Sequence, residues 1–124
     1  MNPLAKSLIL KGQDNLDTAK KFLDDDAQHD VAGYNLAQAC EFFLKALCAL
    51  RELEFPTDEG AHDLDALMET LEESGFAAVS SHADIVELNP YNSARAHIRK
   101  DERLNLKEYF GYVEGLKELV GKQL

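Results

Sequence analysis

The feature that most constrains this chain is a spacing of three and four residues between apolar side chains, repeated in separate stretches, with no stretch showing the sustained alternation of a strand. Leu36, Cys40, Phe43, Leu47 and Leu50 follow it, and so do Leu106, Tyr109, Val113, Leu116 and Val120. Leu4, Leu8, Leu16, Ala19 and Leu23 keep a similar stripe, interrupted by Gly12, and Leu64, Leu67, Met68 and Leu71 form a shorter one. Such faces leave water by packing against other helices. The expectation is therefore all-α: an up-and-down bundle of four long helices plus a short one, with residues 1–124 as a single domain.

The ends of the elements follow from local chemistry. Asn2 is placed to cap a first helix over Pro3–Leu23, with Pro3 where a missing N–H costs nothing. Asp24, Asp25 and Asp26 then disfavour continuation at the negative helix end and read as a solvated loop rather than a chelating site. Asp30 is expected to cap the second helix. Its stripe is widened by Ala37, Phe42, Leu44, Ala46 and Ala49, which points to a central helix or a subunit interface, so a homodimer is expected. Glu54 to Gly60, with Pro56, reads as a loop. A short third helix spans about His62 to Glu73, with Gly75 as its stop. Ser81 and Asp84 resemble a cap for a fourth helix that Asn89 and Pro90 kink or restart, leaving Tyr91 to Lys100 helical.

Charge and cysteine usage bound the function. With 13 Lys and Arg against 23 Asp and Glu, the formal net charge is −10, which repels phosphate backbones at long range and argues against non-specific nucleic-acid binding. A basic partner is compatible with it. Arg95, Arg99, Lys100, Arg103 and Lys107 nevertheless crowd one stretch, so a local positive patch can stand on the acidic body, or these cations can complement nearby acids. Cys40 and Cys48 would lie about 12 Å apart on one helix, beyond disulfide reach. Reduced, buried thiols in a cytoplasmic protein are expected. No apolar run approaches membrane-spanning length, so no membrane association is expected. No nucleophile triad, Gly-rich phosphate loop or clustered metal ligands occur, so no cofactor, metal or catalytic residue is assigned.

Three pieces of sequence carry candidate chemistry. Gln38, Glu41 and Lys45 are polar positions within the most apolar helix. Glu41 and Lys45 have the favourable i, i+4 order, worth about 0.2–0.5 kcal/mol on an exposed face. His62 and Asp63 precede the third apolar stripe, where either can cap a helix. Tyr91, Asn92 and Arg95 would share one helical face, with the ring stacked on the guanidinium and the planar fork open to a phosphate or carboxylate. The competing reading makes Arg95 a buried structural residue paired with Glu41 or another acid.

Taken in order, Gln38, Glu41, Lys45 and Ala46, then His62-Asp63-Leu64, then a Tyr four residues before an Arg, resemble the HEPN domain family from about Leu16 to Val120. The resemblance implies a helical bundle that often dimerises. Many members resemble metal-independent ribonucleases in which an Arg is followed four to six residues later by a His. This sequence departs from that pattern, because the nearest pairing, Arg95 with His97, is only two residues apart and on a helix would diverge by about 200°. The other branch resembles partner or substrate-binding subunits of minimal nucleotidyltransferases, some in toxin-antitoxin systems. It implies a nucleotide- or partner-binding role for Glu41, Lys45, His62, Tyr91, Asn92 and Arg95, the alternative being a ribonuclease toxin with a degenerate Arg and His pair.

Overall fold

The computed structural model of the protein describes residues 2–55 and 63–124. Four α-helices form the frame: α1 (Pro3–Phe22), α2 (His29–Leu50), α3 (Leu64–Glu73) and α4 (Leu106–Lys122). A run of 3₁₀ turns from Ala77 to Tyr91 completes it, and no strand occurs among the described residues. None of these helices is long and apolar enough to cross a membrane.

Asn2 starts α1 as expected. Its side-chain oxygen accepts the Leu4 N–H at 2.8 Å and the Ala5 N–H at 3.4 Å, while its amide reaches the Ala49 carbonyl at 3.3 Å. One residue thus caps the start of α1 and ties it to the end of α2. Gly12 does not interrupt the stripe; it is buried with Leu8 and Leu16, and an added Cβ would stand 2.7 Å from the Phe43 ring. The missing side chain lets α1 lie close along α2.

α2 occupies the centre, packed against α1, α3, α4 and the 3₁₀ run. Leu36, Phe43, Leu44 and Leu47 are fully buried within the single chain, each stabilising the fold by about 1.5–3 kcal/mol. The width of the apolar stripe therefore reflects a central helix. Of the residues that widen the stripe, Ala37, Leu44, Ala46 and Ala49 are buried within the chain and Phe42 is half-buried.

Several boundaries differ from expectation. α2 begins at His29, one residue before the expected Asp30 cap, and Gln28 precedes it with no side-chain cap; Asp30 instead uses its carboxylate on the Ile98 N–H. α3 begins at Leu64 with Asp63 as its cap, its carboxylate accepting the Asp65 N–H at 2.9 Å. The expected fourth α-helix is replaced by 3₁₀ turns kinked at His82 (φ −108°, ψ 19°), and Ser81 donates to the Ala78 carbonyl instead of capping. Asn89 does not restart a helix. Its side-chain oxygen accepts the Leu64 N–H at 2.9 Å, so it caps α3 from across the fold.

After Tyr91 the chain leaves helical geometry, against the expectation of a helix to Lys100, and runs as a strap over the first half of α2, with one 3₁₀ turn at Lys100–Glu102. The acidic run after α1 is exposed, as expected of a solvated loop, and within it Asp26 pairs with Arg103 of the strap at 2.8 Å and Asp24 with Lys107 of α4.

Candidate functional site

Tyr34, Gln38, Glu41 and Lys45 recur at spacings of four, three and four and so share one face of α2. That face meets the root of the strap. Lys45 Nζ donates to Glu41 Oε2 at 2.9 Å, Asn92 Nδ2 donates to Glu41 Oε1 at 3.1 Å, and Gln38 Nε2 donates to Asn92 Oδ1 at 2.6 Å. Glu41 is 2 % exposed and Lys45 8 %. The pair expected on an open helix surface is therefore a buried ion pair, and its carboxylate is tolerated because both oxygens receive donors. Asn92 joins α2 to the strap through this network.

Tyr91, 1 % exposed, turns the other way. Its ring lies edge-on to His29, and its hydroxyl is 2.8 Å from His29 Nε2 while accepting the Leu104 N–H at 3.1 Å. Burial, then the charge of Arg103, holds the His29 pKa below its ordinary value, and burial pushes the Tyr91 phenol up. A neutral imidazole offers Nε2 as acceptor, so the assignment that satisfies every group has Tyr91 donating to His29. The ring fits because residue 33 is glycine; a Cβ there would fall 2.1 Å from Tyr91 Cδ1.

Arg95 departs from both sequence readings. It is exposed on the non-helical strap, so it neither stacks one turn after the buried Tyr91 nor pairs in the interior with Glu41. No carboxylate among the described residues lies within 4 Å of it. The helical divergence of Arg95 and His97 likewise does not apply. His97 is 90 % exposed in its side chain, with Nδ1 3.7 Å from Asp30 Oδ2. The cation cluster is partly neutralised, since Arg99 pairs with Asp101 and Glu102 and Arg103 with Asp26. His62, also assigned to the site, lies outside the described residues.

Between α2 and the strap runs a groove of two adjoining cavities that share Tyr34, Ser93 and Ala94. The larger, about 320 Å³, includes the amides of Gln38 and Asn92; the smaller, about 170 Å³, is lined also by Asp30, Val31 and Ala96. The structure thus gathers Gln38, Glu41, Lys45 and Asn92, separates Tyr91 from Arg95, and adds Tyr34, Ser93 and Asp30, which the motifs did not single out. Tyr34 had a signal, since it stands four residues before Gln38 on the same stripe. Amide, hydroxyl and phenol groups of this kind recognise a donor and acceptor edge, and Arg95 stands in the chain between two lining residues with its guanidinium open to an anion. Among the described residues no group of three or more His, Cys, Asp or Glu side chains is placed to hold a metal ion.

Comparison with curated proteins and with solved structures returned no match. The HEPN domain model, however, matches residues 5–123, which take in the strap and the four helices but for the first two residues of α1, and on that match the chain belongs to the HEPN domain family.

Proposed function

We propose that this HEPN chain is a binding module, the partner or substrate-binding subunit of a minimal nucleotidyltransferase, of the kind found in toxin-antitoxin systems. The observation that carries the reading is the groove itself: a strap anchored by Asn92 to a buried polar network, with Arg95 held out to solvent beside amide-lined space. A planar guanidinium with no carboxylate partner among the described residues suits a nucleotide phosphate or a carboxylate on the partner. The module is expected to be a homodimer, as the family resemblance implies.

The test is a search of the native genome for a nucleotidyltransferase reading frame adjacent to this one, co-expression of the two chains, and affinity measurement for the pair and for ATP. Arg95→Ala is expected to weaken complex or nucleotide binding by about 1–3 kcal/mol, roughly 5- to 150-fold, the range for losing charge-assisted hydrogen bonds. Its stability should stay within about 0.5 kcal/mol of the parent, as for an exposed side chain. Unchanged binding of both ligands, or a large loss of stability, would refute the assignment.

A further inference from the structure

The smaller cavity has features that the proposed function leaves unused. At about 170 Å³ it falls below the roughly 300–1,000 Å³ of ordinary small-molecule sites. Val31, Ala94, Ala96 and the ring of Tyr34 supply apolar lining, and Asp30 supplies its formal charge. That carboxylate is under-satisfied. Oδ1 is buried and has no hydrogen-bond partner among the described residues, while Oδ2 holds the Ile98 N–H at a long 3.3 Å and lies 3.7 Å from the exposed His97. Buried carboxylate oxygens ordinarily accept hydrogen bonds, and Oδ1 retains that capacity. The Asp30 side chain is still 26 % exposed, so a group entering from solvent can reach the carboxylate, whose terminal torsion is broad enough to turn Oδ1 toward it.

We propose that this cavity seats a lysine side chain of a partner protein, its methylenes against Val31, Tyr34, Ala94 and Ala96 and its ammonium on Asp30. The inference rests on the proposed reading of this face as the partner-binding face and names the chemistry that face takes. An aliphatic stem ending in a compact cation matches apolar walls around one acid. A net charge of −10 draws a basic surface at long range. Arg95 and His97, exposed on the same strap, oppose a ligand that is cationic throughout, such as a free polyamine. A protein surface can instead place an acidic group on Arg95 and a lysine in the cavity, which commits the site to a protein carrying both.

The test titrates isotopically labelled full-length protein with a capped peptide of one lysine flanked by alanines, and with the same peptide carrying norleucine, following backbone amide shifts. The lysine peptide is expected to shift residues 30–34 and 93–96 in a saturable way, and the norleucine peptide to bind at least tenfold more weakly. Ala94→Leu fills the cavity from an exposed position, and Asp30→Asn keeps an acceptor for the Ile98 N–H; each should weaken the lysine peptide at least tenfold. Absent shifts, equal binding of the two peptides, or binding untouched by both variants would overturn the seat. A nucleotidyltransferase complex that forms equally well with Ala94→Leu would overturn the seat while leaving the proposed function standing. Specific lysine-peptide binding without any such complex would support the seat and overturn the partner assignment alone.

Discussion

Gly33→Ala tests whether the Tyr91 ring fixes the root of the strap. In an ordinary helix this change stabilises by about 0.8–1.0 kcal/mol, because alanine loses less backbone entropy than glycine. Here the new Cβ would stand 2.1 Å from Tyr91 Cδ1 and 2.7 Å from Cγ, atoms near the root of the side chain that cannot swing aside without moving the whole ring. Displacing a buried aromatic costs about 3–5 kcal/mol at full loss of its packing. The hydroxyl's bonds to His29 and the Leu104 N–H add about 0.5–1.5 kcal/mol each. With partial relaxation, and after subtracting the helix-propensity gain, a net destabilisation of about 2–4 kcal/mol is expected. Urea unfolding at constant slope reads it directly. The second half of the test is a double-mutant cycle: in a Tyr91→Ala background the clash is gone, and Gly33→Ala should become stabilising by up to about 1 kcal/mol. A neutral or stabilising Gly33→Ala in the parent chain, or the same sign in both backgrounds, would refute the packing argument.

Glu41→Ala should destabilise by about 3–5 kcal/mol because it strands the Lys45 ammonium and the Asn92 amide in the interior, whereas Glu41→Leu with Lys45→Met should recover most of that loss; equal stabilities in chemical unfolding would show the pair is dispensable. His29 and His82 both have native pKa values below their ordinary 6.5, chiefly from burial. The unfolded chain then binds more protons as pH falls, so their contribution is intact above about pH 6.5 and is lost as pH falls through and below that value toward the lowered native values. Stability should therefore fall as pH drops below about 6.5, and less steeply in a His29→Gln, His82→Gln variant; an unchanged slope would contradict it. Burial pushes Cys48 up to about 11 and Cys40 higher still, so a thiol reagent at about pH 8 should label neither until the protein is unfolded, and rapid native labelling would overturn the burial.

What the sequence determined by itself was local. Apolar spacing located α1, α2 and α4 because a helix face is fixed by residues three and four apart, and Asn2 with Pro3 marked the first start because a cap acts within three residues. Glu41 and Lys45 were legible as a pair for the same reason. Whether that pair is exposed or buried depends on Asn92, 51 residues later, and no window along the chain carries that information. Residues 91–100 show the limit most clearly. Their composition fits a helix, yet Asn89 is taken by the start of α3, Tyr91 by His29 and Gly33, Asn92 by Gln38 and Glu41, and the Ile98 N–H by Asp30. Those partners lie 25 to 68 positions away and hold the side chains out of a helical register, while the strap's own N–H groups go to Asp30 at Ile98 and to local turns at Asn92, Ser93, Arg95 and Ala96 in place of i to i−4 bonds. The groove and the outward placement of Arg95 exist only because tertiary hydrogen bonds outweighed local helix propensity along that strap.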